Sequence, residues 1–416
     1  MIRFCLKHTR TSDNICIICL NVADNFNICM ECRTLLKIQE TEWDIDKERP
    51  KNIYLKKYKK LNNILDLIKI RITEYIKEKQ LQQKTFTTCE LSKEINRICL
   101  EKKIIYKKKA LLFFMHKYIK YKEEFICYST HKRYKVFFNL IQRYEGYIMK
   151  QLLIKDIDTM FIKNFLLFGK KEAYSENTLY RTIHFIKTIL NYAEKKGIKT
   201  PVKLLEIRRE KQKKEVISLT ETELLKIEYT NIPESLKAAK DWLLISCYTG
   251  QRFSDFMKFC VKDIVLINQK TCISFSQQKT KTEILLPLHP VVVNILRSNA
   301  NQFPKSLDIK NYNEQIKQIA KIAGIDQIVE AKKRMGHRTE KILIEKWQVI
   351  TSHIGRRSFA TNFYGKIPTP LLMKATGHSS EQMFLRYIDP AYKDHVTSLG
   401  DYFDKLFQEK KRLIHI

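Results

Sequence analysis

Four stretches of the 416-residue chain gather side chains that can handle a phosphate. They read TGQRFSDF (249–256), QQKTKTEILLPL (277–288), SHIGRRSFATNFY (352–364) and KATGHSSEQMFLRYID (374–389). Within them stand, in this order, Arg252, Lys279, His353 with Arg356, His378 and Tyr387. Arginine suits the non-bridging oxygens of a phosphodiester, because its planar fork donates two parallel hydrogen bonds and stays charged. Imidazoles can bond a phosphate and carry a proton near neutrality. A tyrosine hydroxyl can attack phosphorus, but with an ordinary pKa near about 10 it needs cations around it. The set therefore meets the needs of phosphodiester transfer through a phosphotyrosine. The attacking hydroxyl is activated, the charge of the pentacoordinate state is met, and the leaving 5′ oxygen receives a proton. No carboxylate cluster accompanies these residues, which speaks against a two-metal nuclease. A Gly-x4-Gly-Lys-Ser/Thr phosphate loop is also absent from the sequence, and a phosphotyrosine would conserve the bond energy without ATP. No cofactor and no metal are expected.

The order Arg, Lys, His-x-x-Arg, His, Tyr, with Tyr387 nine residues after His378, resembles the active-site signature of the tyrosine recombinases of the phage-integrase family. The resemblance implies Tyr387 as nucleophile and Arg252 and Arg356 as the clamp on the phosphate. It implies Lys279, in a turn between two strands, as the general acid, and His353 and His378 on the phosphate and the tyrosine proton. Asp255, three residues after Arg252, would orient that arginine. Lys281 competes with Lys279, and the sequence leaves the choice open. Arg357 falls outside the His-x-x-Arg frame and is expected to be structural. His289 and His337 match no position of the signature. The implied activity is site-specific cleavage and rejoining of DNA that integrates or excises a mobile element. Implied partners are double-stranded DNA at core and arm attachment sites, further copies forming a homo-tetramer, and an accessory DNA-bending protein. A type IB topoisomerase and a catalytically silent DNA-binding regulator are the alternatives. The helical region before the signature argues against the first, and the six filled positions argue against the second.

The elements that must position these residues are legible in outline. Formal charge is +32, from 77 basic against 45 acidic residues, which points to a polyanionic partner. Part of that excess reflects a lysine-, isoleucine- and asparagine-rich composition. The N-terminus has no apolar core of signal-peptide length and no apolar run approaches a membrane span, so a cytoplasmic, nucleoid-associated protein with no membrane partner is expected. Eleven scattered cysteines are expected to be reduced thiols. Cys16-x-x-Cys19 and Cys29-x-x-Cys32 have zinc spacing. A β-hairpin centred on Asp24-Asn25 would instead face Cys16 with Cys32 and Cys19 with Cys29, and residues three apart in a strand point to opposite faces.

The expected fold is mainly α with small β elements (α+β). Residues 1–47 read as three short strands, and the WD-x5-PKN text that closes them resembles integrases of Bacteroides-type conjugative transposons. That resemblance implies an arm-type DNA-binding β domain. A basic segment and linker helix follow over 48–106, with Leu61, Ile64, Leu65, Ile68, Ile72 and Ile76 at helical spacing. Residues 107–205 read as a helical, SAM-like core-binding domain. One apolar face runs through Tyr134, Phe137, Phe138, Ile141 and Tyr144. Another runs from Leu179 to Ala193 behind Ser175 and stops before Gly197 and Pro201. The basic stretch 206–216 reads as a linker. A capping box at Thr220 and Glu223 opens a mixed α/β catalytic domain, 216–416, with strands around 263–288 and helix again from about 311. A tail helix carrying Val396, Leu399, Phe403 and Leu406 is expected to dock on a neighbouring copy.

Overall fold

The structure, a computed structural model, describes residues 2–9, 12–23, 29–52, 55–101, 106–207, 216–335 and 338–388. The expected tail helix and most of the basic linker lie outside the described residues. The chain divides into two compact units, one made of Met1–Lys211 with Arg334–Thr339 and the other of Gln212–Lys333 with Glu340–Ile416, which carries the signature. No helix among the described residues is long and apolar enough to cross a membrane.

The first unit opens with an antiparallel meander of β1 (Ile2–Thr9), β2 (Ser12–Ala23) and β3 (Cys29–Gln39). A short pair, β4 (Trp43–Asp44) and β5 (Arg49–Pro50), follows. Alternation along the strands buries Ile2, Phe4, Ile18, Leu20, Val22 and Cys32 on one face. The register differs from the one the cysteines suggested: Leu20 pairs Cys32, Ala23 pairs Cys29, and a bulge between Ile17 and Cys19 brings Ile38 opposite Cys16. Each β2 residue pairs further along β3 than expected, and the bulge adds one more shift, which local turn chemistry does not encode.

The buried face of the sheet shares one core with α1 (Lys56–Leu81) and α2 (Thr88–Leu100), through Leu61, Leu65, Ile68, Ile72, Leu91 and Ile95. Thr87 caps α2 with a full capping box to Glu90. The helix read as a linker thus completes the core of the sheet.

Four helices form the second core of this unit: α3 (Leu111–Lys122), α4 (Tyr128–Ile148), α5 (Thr159–Lys171) and α6 (Glu176–Glu194). Leu179, Ile183, Ile186, Ile189, Leu190 and Ala193 are all buried, as their spacing predicts, and Ser175 accepts from Thr178 N at the cap. Each buried Ile or Leu contributes about 1.5–3 kcal/mol. Between the two cores lies a buried ion network. Arg49 donates to Asp66 Oδ1 at 2.5 Å, and Arg143 of α4 lies 3.6 Å from the same carboxylate and 3.5 Å from Glu172.

The second unit begins with α7 (Glu221–Tyr229), capped by Thr220 and Glu223, and the buried α8 (Glu234–Thr249). The one-turn α9 (Phe253–Phe256) leads to a three-stranded antiparallel sheet of β6 (Ile264–Ile267), β7 (Lys270–Ser276) and β8 (Glu283–Pro287). Then come α10 (Pro290–Ser298) and α11 (Ile309–Ile322). The expectation of continuous helix after 311 fails at Ile325. β9 (Ile328–Met335) and β10 (Arg338–Glu345) form a hairpin there. The text on either side of Gly336, IVEAKKRM and RTEKILIE, is dense in charge and carries no helical apolar stripe. Last come α12 (Ile354–Phe363), α13 (Thr369–Thr376), α14 (Glu381–Phe384) and a 3-10 turn at Leu385–Tyr387.

Candidate active site

Three chain reversals set the site. The first is the end of α8, where the backbone turns through Gly250 and Gln251 to Arg252, the residue before α9. The second is the β7–β8 turn carrying Lys279, closed by Gln277 N donating to Thr282 O at 2.9 Å. The third is the end of α13, which stops at Gly377 with φ +67 and turns His378 inward. A Cβ at Gly377 would sit 2.6 Å from Gln277 Oε1, so both backbone hand and crowding demand glycine.

Helix α12 brings His353 and Arg356. His353 is its N-cap residue. Gly355 lets α12 lie against α8, since a Cβ there would meet Ser246 Oγ at 2.0 Å. That crossing sinks Arg356 to 0% exposure. Its Nη1 donates to Gly250 O at 3.0 Å and its Nη2 to Thr376 O at 2.7 Å. Nη2 also donates to His378 Nε2 at 3.0 Å, while the Arg356 Nε has no hydrogen-bond partner among the described residues. Burial, helped by the charge of Arg252, lowers the Arg356 pKa to about 10, with Tyr387 pulling the other way. It remains a cation at neutral pH.

The hydrogen bonds assign the tautomer of His378. Arg356 can only donate, so Nε2 accepts, and Nδ1 carries the hydrogen and gives it to Thr376 Oγ1 at 2.7 Å. Thr376 Oγ1 in turn donates to Leu372 O at 2.6 Å. Burial, then Arg356 and Arg252, push the His378 pKa down to about 3, so the ring is neutral. The Tyr387 ring lies 5.0 Å from the His378 ring, and its centroid is 5.4 Å from Arg356 Cζ. Tyr387 O accepts from Thr361 Oγ1 of α12 at 3.5 Å, which ties the 3-10 turn to the helix bearing Arg356.

Arg252 Nη1 donates to Gln277 Oε1 at 2.8 Å and lies 4.0 Å from Asp255 Oδ2. Asp255 is buried, and its other oxygen accepts the Gln278 N–H at 3.0 Å. It therefore holds the strand turn as well as facing the arginine. Partial burial lowers the His353 pKa, and the charges of Arg357, Arg356, Arg252 and Lys279 lower it further. Lys279 is thus electrostatically within the cluster, although exposed. Lys281 adopts φ +57 where the turn returns to β8. Arg357 is half-buried, and Tyr387 acts on its charge as it does on that of Arg356. His289 caps α10 by accepting from Val291 N and stacks on Tyr248 at 4.2 Å, away from the cluster. His337 lies outside the described residues.

Arg252, Arg356, His378 and Tyr387 thus gather in one electropositive site whose field reaches His353 and Lys279, and among the described residues Asp255 is the carboxylate that faces it. Residues 209–394 match the phage integrase family, and residues 110–204 match the phage integrase SAM-like domain, together more than half of the chain. The chain belongs to the phage integrase family of tyrosine recombinases.

Solved structures share the fold of this family member. The Tn1549 transposon integrase in complex with a circular intermediate DNA aligns with TM-score 0.52 at 14% identity, over 72% of this chain and 100% of that one. A second complex of that integrase gives 0.51 at 15% identity, over 71% of this chain and 100% of that one. The XerH site-specific recombinase bound to a palindromic difH substrate gives 0.50 at 16% identity, over 81% of this chain and 97% of that one. A curated relative of another kind, the teichoic acid D-alanine hydrolase of Staphylococcus aureus, is 29% identical over 120 residues. That overlap covers 29% of this chain and spans 28% of the length of the hydrolase.

The sequence did not single out Gln251, Gln277 or Thr376, which join the signature residues to one another. Their only sequence signal is adjacency, since each stands one or two positions from Arg252, Lys279 or His378.

Proposed function

We propose that this integrase-family protein is a site-specific recombinase that cuts and rejoins duplex DNA through a 3′-phosphotyrosine at Tyr387, moving a mobile element into or out of a replicon. The observation that carries the reading is Arg356, a fully buried cation bonded to carbonyls and a neutral imidazole beside the Tyr387 ring. A scissile phosphate supplies the anion such a site is built around. Arg356 and Arg252 hold the non-bridging oxygens. The Tyr387 oxygen bonds to phosphorus as the bond to the 5′ oxygen breaks. The tyrosine proton leaves through His353 or solvent, and Lys279 protonates the departing oxygen. Rejoining reverses these steps with the 5′ hydroxyl of another strand, so no energy source is consumed. His378, accepting from Arg356, fixes that arginine for the phosphate.

The partner is double-stranded DNA, engaged by several copies of the chain as a homo-tetramer with an accessory DNA-bending protein, and the tail beyond Tyr387 would join neighbours. Tyr387→Phe tests the chemistry. It should bind a core-site duplex normally yet give no SDS-resistant adduct on a nicked suicide substrate. A normal adduct yield from that variant would refute the reading.

The sheet supports a second contact with DNA. Its face away from the core exposes Arg3 and Lys7 on β1 and Arg33 and Lys37 on β3, the two strands that flank β2. We infer that this face binds arm-type sites. Because the sheet shares a core with α1 and α2, charge reversal is a cleaner test than deletion. Arg33→Glu with Lys37→Glu should weaken binding to flanking sites, flatten its salt dependence by about one unit of slope per lost phosphate contact, and leave core-site cleavage intact. Unaltered binding to both ends of the element would remove the arm assignment.

A further inference from the structure

The side chain that makes the site a single object is not one of the six. Gln277 follows β7, two residues before Lys279, and is 0% exposed. Its carboxamide is fully engaged. Oε1 accepts from Arg252 Nη1 at 2.8 Å and from Thr280 Oγ1 at 2.7 Å. Nε2 donates to Gln251 Oε1 at 3.0 Å and to Thr376 O at 3.1 Å. Two lone pairs and two N–H groups are all that a glutamine has. The amide cannot be reversed either. Arginine only donates, so the atom facing Arg252 is oxygen. A carbonyl only accepts, so the atom facing Thr376 is nitrogen.

Those four bonds reach all three chain reversals of the site. One fixes the head of Arg252. One grips Thr280, the residue after Lys279. One holds the carbonyl of Thr376, which Arg356 Nη2 also contacts and whose hydroxyl orients His378. The fourth continues through Gln251, whose Nε2 donates to Thr249 O at 2.8 Å and Ala375 O at 2.7 Å, the ends of α8 and α13. Gly377 presses on the same amide from the other side. A buried, fully satisfied amide of this kind is costly to leave half paired, so it transmits position among its partners.

We propose that Gln277 is a positioning residue that couples the phosphate clamp at Arg252 to the lysine-bearing turn and to the His378 turn, so that a shift in any one is felt by the others. This rests on the phosphotyrosine reading of the site. Gln251 extends the relay but touches none of the reacting groups itself.

Two near-isosteric variants test it. Gln277→Met keeps the volume and removes every hydrogen bond. Gln277→Glu keeps the shape but puts an oxygen against Thr376 O and Gln251 Oε1 and a carboxylate on Arg252. Core-site binding and melting temperature are measured beside adduct formation on nicked suicide duplexes. One duplex carries the ordinary bridging 5′ oxygen, and the other carries sulfur there, a leaving group that departs without a proton. Both variants should bind core sites like the wild type and melt somewhat lower, because Gln251 Oε1 and Thr376 O lose a donor. At a temperature where they stay folded, they should form adduct about 10- to 10²-fold more slowly on the oxygen substrate, as misplacement by about an ångström does. Sulfur should restore part of the rate of Gln277→Met, as it should for Lys279→Ala, and little of that of Gln277→Glu, where the arginine clamp is neutralised. Adduct formation at the wild-type rate overturns the proposal. So does equal slowing of Gln277→Met on both substrates, or a loss of folding or binding that accounts for the slowing. Tyr387→Phe in the same assay separates the two ideas, since adduct from that variant would sink the active-site reading whatever Gln277 does.

Discussion

Two buried arginines in this chain are held in opposite ways. Arg49, in the N-terminal unit, meets a carboxylate: Asp66 Oδ1 at 2.5 Å, with Asn62 Oδ1 at 3.2 Å. Asp66 is shared with Arg143, which reaches on to Glu172, so two cations and two anions balance inside the protein. Gly146 of α4 backs directly onto Asp66, where a Cβ would meet its Oδ1 at 2.0 Å. Arg356, in the catalytic unit, is as deeply buried. It bonds two carbonyls and an imidazole, and among the described residues no carboxylate lies within salt-bridge distance of it. The first arginine ties β5 to α1, and Arg143 carries the network on to α4. The second keeps its charge available. A buried charge without its counter-ion is costly, and on the proposed reading the scissile phosphate offsets that cost.

This contrast can be broken in three ways. The largest expected effect is on stability. Asp66→Ala would leave Arg49 and Arg143 facing each other, and losing one member of a buried ion pair costs about 3–5 kcal/mol. Urea unfolding of the full chain should report that loss, while the folded fraction still cleaves core sites. Unchanged stability would mean the network is not what fastens α1.

Next is Arg356→Met. Loss of a preorganised donor to the transition state should slow cleavage by about 10²- to 10³-fold. Resistance to urea should hold or rise, because an unpaired buried charge has been removed. A stability loss as large as that of Asp66→Ala would erase the distinction.

The smallest effect is on pH dependence. His378 has its pKa pushed down from 6.5 to about 3 by burial, Arg356 and Arg252. Between those values the unfolded chain binds a proton that the folded chain refuses. Stability from the neutral ring is therefore whole above pH 6.5 and declines as pH falls toward 3. His378→Gln should flatten the acid limb of an unfolding titration. An identical limb in variant and wild type would mean that the imidazole is not held neutral by these cations.

The site was more legible in the sequence than the fold that carries it. Arg252, His353, Arg356, His378 and Tyr387 stand at spacings set by helix ends and turns, and those spacings survive in the chain as text. Helices with a continuous apolar stripe were equally plain. In α6 the run from Leu179 to Ala193 is buried residue for residue, and Ser175 and Thr220 cap where their types demand. The β9–β10 hairpin was missed because its charge-dense text shows no clear apolar period. The cysteine register was wrong because the β2–β3 pairing and its bulge follow how the sheet packs on α1 and α2, not the local turn text. The helix read as a linker became part of that core for the same reason: spacing shows which face of a helix is apolar, not what covers it.

The sequence by itself carried the candidate groups, arginines, imidazoles, a lysine and one tyrosine in an order that suits phosphotyrosine transfer. Tertiary structure decided what state those groups are in. The neutrality of His378, the buried charge of Arg356 and the four-way grip of Gln277 all arise where α8, α12, α13 and the β7–β8 turn meet. Desolvation and hydrogen-bond geometry are properties of that meeting, made by residues as far as 124 positions apart, and no local stretch of sequence contains them.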